Sequence, residues 1–267
     1  MASTTTPGGL DTRTQAVARD LILVLADSKR LLGMRYAEWI LGAPELEAGI
    51  ACASMAQDEW GHARLLYALL KEFGDDVDRI EHGRDPADYR SITALDRAPE
   101  SWVELIAMNV LCDGALSVQL EALRDSSWQP LRQRVGKLLE EETFHAAHGA
   151  AWWRRFATGG DAARRALHGA VERYAKDVLV WFGSDGAHAR TMLDASVANG
   201  AGSTLRKRFL ERIAPLVSAA GVGDLFTRID PDLAAFDDAT RRGGGTGPDD
   251  ETIRRVRGDK NRAFLMD

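Results

Sequence analysis

The sequence predicts an all-α protein: a four-helix bundle with additional C-terminal helices. Apolar residues recur at steps of three and four over long stretches, and no stretch shows the alternation of a strand. Proline and glycine fall at the joints between these stretches. The chain has 267 residues, 45% hydrophobic and 28% charged, which suffices for a large helical domain with a sizeable core.

The elements follow in order. Residues 1–11 are rich in Ser, Thr, Pro and Gly and read as a disordered N-terminus without the apolar core of a secretory signal. A helical pattern runs from about Thr12 to Leu41. Ala43-Pro44 breaks it, and Pro44 suits the first turn of a second helix, with Glu45 and Glu47 favourable at its N-terminus. That helix runs to about Phe73 and ends at Gly74. A polar connection, Asp75 to Ala98, leads to a third helix from Pro99 to about Arg124. Pro130 opens a fourth, to about Phe156, which Gly159-Gly160 ends. Further helices fit Ala162–Trp181, His188–Val197 and Leu205–Ala219, which closes a helical domain over residues 12–220. Residues 221–267 form a less regular extension that packs on the bundle, and Gly243-Gly244-Gly245-Thr246-Gly247-Pro248 in it reads as a flexible loop.

Composition narrows the function. Lys and Arg number 34 against 40 Asp and Glu, a net charge of −6, so no basic excess exists for nucleic acid. No apolar run reads as a membrane span. Cys52 and Cys112 lie inside helical patterns, and two buried thiols predict a reducing, cytoplasmic setting.

Two elements of the form Glu-x-x-His stand out: Asp58-Glu59-Trp60-Gly61-His62 and Glu141-Glu142-Thr143-Phe144-His145. A carboxylate and an imidazole three residues apart share one helix face. Two such helices, with one acid from each of two more, form the di-iron or di-manganese site of carboxylate bundles. The motif is common on surface helices; its phase is what gives it weight. Cys52, Met55, Glu59, His62 and Leu66 form one stripe. Val135, Leu138, Glu142, His145 and Gly149 form another, and Val103, Ile106, Val110, Asp113, Ser117 and Leu120 a third. Acids buried without partners cost several kcal/mol each. One metal ion is the simplest common partner for Glu59, Asp113, Glu142, His62 and His145.

The first helix offers Ile22, Leu25, Lys29, Leu32, Tyr36 and Trp39, so a lysine takes the fourth polar position. A protonated lysine has no lone pair for a metal. Glu59, Asp113 and Glu142 carry −3 and Lys29 carries +1, which leaves −2, the match for one divalent ion. An ion-pair network around Lys29 without metal is the competing reading. His82, His148, His168 and His188 lack ligand spacing. Trp152-Trp153 and Trp181-Phe182 read as packing, Cys112 likewise, and Arg241-Arg242 and Arg254-Arg255 as solvated charges.

Gln57-Asp58-Glu59, Gly61-His62, Asp113-Gly114-Ala115, Glu141-Glu142, Phe144-His145, Phe182-Gly183 and Asp230-Pro231-Asp232-Leu233 resemble the ferritin-like subunits of bacterial ring-1,2-phenylacetyl-CoA epoxidase, above all the catalytic, PaaA-like ones. The turn Ala43-Pro44-Glu45-Leu46-Glu47 also resembles the non-catalytic, PaaC-like subunits, which lack the metal ligands. The resemblance implies a monooxygenase of phenylacetate catabolism: iron (one or two ions, or manganese), dioxygen as co-substrate, and electrons from a separate flavin/iron-sulfur reductase. It implies an aromatic acyl-CoA or related carboxylate as substrate and assembly into a homo- or hetero-oligomer with other oxygenase subunits. Glu59, His62, Asp113, Glu142 and His145 carry over as ligands, while Lys29 stands where the family has a glutamate. Lys29, Glu59 and Glu142 are the candidate catalytic groups, and Asp58 and Glu141 candidate partners of the imidazoles. Arg84, Arg90 and Arg97 fall where the family lines its CoA entrance. The alternatives are a metal-free, PaaC-like structural subunit, or a stand-alone oxidase in which Lys29 is reactive.

Overall fold

The computed structural model describes residues 9–262 and 264, apart from the side chain of Arg262. Four long helices form an all-α bundle, as the periodicity predicts. They are α1 (Thr12–Ala37), α2 (Leu46–Leu69, extended by a 3₁₀ turn over Leu70–Phe73), the continuous pair α4 (Trp102–Met108) and α5 (Gly114–Glu121), and α6 (Gln129–Ala157). The short α3 (Val77–His82) lies in the connection between α2 and α4. The remaining helices are α7 (Asp161–Trp181), α8 (Ala187–Asp194), α9 (Gly202–Ala220), α10 (Gly223–Arg228), α11 (Asp250–Arg257) and α12 (Asp259–Arg262).

Local chemistry sets the helix ends. The Asp11 carboxylate accepts the Thr14 backbone N–H at 2.9 Å and caps α1. Gly74, at φ 84°, closes the second helix in the left-handed conformation that glycine adopts without penalty. Ser101 caps α4 through the Glu104 N–H, and Pro130 sits in the first turn of α6. Pro44 does not enter α2 as expected; Glu45 is the flanking residue and the helix starts at Leu46. Of the segment expected to be disordered, residues 1–8 lie outside the described residues, whereas Leu10 is buried and Asp11 is the α1 cap.

Between α4 and α5 the backbone widens into a π-helical turn over Asn109–Asp113. The extra residue per turn changes the phase of the helix, and such bulges concentrate at functional sites. Trp102–Glu121 as a whole is long and apolar enough to cross a membrane, contrary to the sequence expectation. Burial in the protein core accounts for its composition: Leu105, Ile106, Ala107, Met108, Leu111, Cys112, Ala115 and Leu116 are nearly inaccessible.

α1 is covered on more than its bundle face. The opposite face carries Asp27, Ser28, Arg30 and Arg35, and most of these fasten the connection of residues 75–98. Ser28 Oγ accepts the Ile92 N–H, Arg35 donates to the carbonyls of Leu95 and Asp96, and Asp27 accepts from Arg84 and from the Arg90 N–H. The C-terminal segment closes over this layer. Arg30 donates to the Val256 carbonyl, Arg255 pairs with Glu38, and Arg242 binds Asp96 and the Ser91 carbonyl. Arg241 donates to the carbonyls of Trp181 and Phe182 and to Gln119 Oε1. Arg241 and Arg242 are therefore not solvated charges: backbone carbonyls, Gln119 and the Asp96 carboxylate, partners that sequence patterns do not reveal, satisfy them inside the fold.

Candidate metal centre

Each of the four bundle helices sends a polar side chain to one point. Lys29 comes from α1, Glu59 and His62 from α2, Asp113 from the π turn, and Glu142 and His145 from α6. All six are buried. Lys29 Nζ donates to Glu59 Oε1 at 2.9 Å, to Asp113 Oδ1 at 2.8 Å and to Glu142 Oε1 at 2.5 Å. Its three N–H donors meet one carboxylate from each of the other helices, which uses its full donor set.

The imidazoles are held crosswise. His62 Nε2, on α2, lies 2.7 Å from Glu141 Oε2 on α6. His145 Nε2, on α6, lies 3.3 Å from Asp58 Oδ2 on α2. In each motif the acid preceding the glutamate reaches the histidine of the other motif. Such carboxylates fix the orientation of a ligating imidazole and raise its basicity. Asp113 Oδ2 accepts from Tyr36 OH at 2.9 Å, and Tyr36 OH accepts from Asn109 Nδ2 at 2.7 Å. Ser117 Oγ donates to Glu142 Oε2 at 2.8 Å. Gly149 on α6 makes room for Asn109 of the π turn.

The electrostatics follow from burial opposed by neighbours. Burial pushes Glu59 up to about 7, with the nearby acids adding to the rise and Lys29 opposing it. Against burial, Lys29 and His145 hold Asp113 well below the usual carboxylate range. Against burial, Asp113, Glu142 and Glu59 hold Lys29 charged. Asp113 and Glu59 push His145 up to about 11, again against burial.

The donor set of the centre could hold a divalent ion. Glu59, Asp113, Glu142 and His145 offer ligand atoms that all lie within 4.8 Å of one another. Glu59 Oε2 is buried without a hydrogen bond, and so is His62 Nδ1, which approaches Glu142 Oε1 at 3.2 Å without hydrogen-bond geometry. These unused lone pairs are the donors that an ion wants. The position that a helix-1 acid would serve instead holds an ammonium, whose repulsion of a second ion is strong where water is scarce.

The sequence-predicted arginines divide. Arg84 forms a bidentate pair with Asp27 and stacks on Tyr89, and Arg90 pairs with Asp20. Arg97 faces a surface groove whose other lining residues include Asp85, Glu100, Asp177 and Asp250. That groove's charge does not suit CoA phosphates. Sequence reasoning missed Tyr36 and Ser117 as partners of the acids and Asn109 as the partner of Tyr36. Tyr36 and Ser117 stand in the core stripes, and Asn109, three residues after Ile106 and four before Asp113, shares the phase of the third.

A four-helix bundle with crosswise Glu-x-x-His motifs defines a protein of the carboxylate-centre, ferritin-like class. The family model described as "Phenylacetic acid catabolic protein" matches residues 4–223, and the chain belongs to that family. It is similar to the A component of 1,2-phenylacetyl-CoA epoxidase from Escherichia coli (strain K12), with 29% identity over 73% of this chain and 63% of the relative. It is also similar to the C component of the same epoxidase, with 25% identity over 61% of this chain and 66% of the relative. The chain thus spans just under two thirds of the length of each of these curated relatives.

Proposed function

We propose that this chain is an oxygenase-type subunit whose carboxylate centre takes one divalent ion, iron by family likeness, beside a permanent Lys29 ammonium. The observation that carries this reading is the contact of Lys29 Nζ with Glu59, Asp113 and Glu142. It leaves a net charge of −2 among the acids, the complement of one such ion. Glu59, Asp113, Glu142 and His145 would hold the ion, with His62 Nδ1, 3.2 Å from Glu142 Oε1, as a further donor. When bound, it supplies the one-electron and dioxygen chemistry that side chains lack.

The chain's own residues do the rest. Asp58 keeps the His145 ring in place, and Glu141 does the same for His62. Tyr36 and Ser117 fix one oxygen each of Asp113 and Glu142, which preorganises the ligand atoms. Lys29 pins the inner oxygens of all three acids. The surrounding layers of apolar residues exclude bulk water, so reactive species are not quenched.

Family likeness supports an aromatic acyl-CoA or related carboxylate as substrate, with further oxygenase subunits and a reductase as partners. A second reading has its own observation. With His145 protonated as well as Lys29, the acids are largely neutralised without metal, which favours a structural, PaaC-like role. Elemental analysis of protein expressed with added iron separates the two. One ion per chain supports the first reading, none supports the second, and two fully occupied ions would overturn both.

A further inference from the structure

A cavity of about 70 Å³ opens between the π turn, α6 and α9 and reaches the outer edge of the centre. Asp113 and Glu142 line its inner end together with Asn109 and Ser117; Val110, Ile213 and Leu216 supply apolar wall. Ala146 and Arg212, both at the surface, form the rim, where Arg212 is tied to Glu121 on α5. Asn109 Oδ1 is buried without a hydrogen-bond partner beside this space.

Size decides what fits. A protein cavity of about 150 Å³ holds benzene, whereas a single water needs only roughly 10–15 Å³. The space here lies between these values. It takes a diatomic molecule or a few waters and excludes an aromatic ring. Its wall is mixed: apolar on the α9 side, polar where it meets the acids. An apolar diatomic can therefore cross it without leaving solvated charge behind, while a thioester with its CoA cannot enter.

We propose that this cavity is the route by which a diatomic reactant, dioxygen, reaches the Asp113/Glu142 edge of the centre, apart from the route of any organic substrate. The choice of dioxygen rests on the oxygenase reading above; the size selection does not. Ala146 at the rim and Leu216 in the wall are the residues that set the aperture.

Xenon, an apolar probe close in size to dioxygen, tests this on the metal-free protein. Crystals of the full chain pressurised with xenon should show an atom between Val110, Ile213 and Leu216, and Ala146→Phe should remove it. In iron-loaded protein, Ala146→Phe should slow dioxygen uptake at least tenfold with metal content unchanged. Leu216→Ala should admit benzene, seen as a rise in melting temperature that the unaltered protein lacks. Absence of xenon from the cavity, or benzene bound there in the unaltered protein, overturns the proposal. So does dioxygen uptake unchanged by Ala146→Phe. If xenon binds as described but the chain takes up no iron, the selective cavity stands and the oxygenase reading fails.

Discussion

Gly149 and Asn109 share one small volume: a Cβ built on Gly149 would lie 1.7 Å from Asn109 Oδ1. The absence of a side chain at Gly149 lets the π turn come close to α6, and Asn109 then holds Tyr36, which holds Asp113.

Gly149→Ala should therefore destabilise the protein by about 1–3 kcal/mol, the usual result of overpacking, despite the better helix propensity of alanine. Chemical denaturation measures this. Asn109→Ala combined with Gly149→Ala should recover part of the loss, because the clash disappears. A single Gly149→Ala variant as stable as the parent would mean that Asn109 has another place to go.

Lys29→Met should destabilise the metal-free protein by about 3–5 kcal/mol, since it leaves buried acids without their cation. Divalent metal should restore much of that loss, and restoration by Mg²⁺, Mn²⁺ or Fe²⁺ can be followed as a rise in melting temperature. Lys29→Glu should raise metal content toward two ions per chain. Lys29→Met with unchanged stability in the presence of a chelator would remove the ammonium from its assigned role.

Asp58→Asn and Glu141→Gln should each weaken metal binding about 10–100-fold, the typical effect of losing a carboxylate behind an imidazole ligand. Because each acid serves the histidine of the other motif, His145 should feel the first change and His62 the second. Titration with Mn²⁺ by calorimetry, with histidine NMR on the metal-free protein to identify the ring affected, checks both statements.

Burial pushes the Asp177 carboxyl above its ordinary value, with Asp96 adding to the effect. A carboxyl raised by folding opposes folding once pH exceeds its unfolded value, and the penalty is fully present above the folded one. Asp177→Asn should accordingly raise stability at pH 7, with the gain shrinking as pH falls through the ordinary carboxylate range. A melting series from pH 3 to pH 7 shows the trend, and a gain that grows toward low pH would contradict it.

The bundle and the centre were legible because helical period and polar character conflict at a few positions. Glu59, Asp113, Glu142 and Lys29 occupy core phase, where apolar residues belong, and such conflicts mark sites. The π turn was not legible, since a single widened turn has no compositional signature. Asp27, Arg30 and Arg35 were equally hidden. Period places them away from the bundle core, and only the folded connection reveals that this second face of α1 is also covered. Arg84 and Arg90 fall in a region that reads as polar loop, yet their charges are committed to Asp27 and Asp20. Loop composition cannot distinguish an arginine that anchors a connection from one that awaits a ligand.

The covering of α1 has a consequence for synthesis. The Arg30–Val256 hydrogen bond spans 226 residues, and the Arg255–Glu38 pair spans 217. At about 5–20 residues per second of translation, roughly 10–45 s separate the emergence of Arg30 from that of its last partner. During that interval only the Arg30 and Glu38 edge of α1 waits for its last partners, since residues 84–96 can already hold Asp27, Ser28 and Arg35 and α2 packs against the apolar face. The first helix made thus keeps one edge unsealed to the end, and nascent chains stalled before Arg242 should leave that Arg30 and Glu38 edge more open to hydrogen exchange while the α1–α2 hairpin is already collapsed.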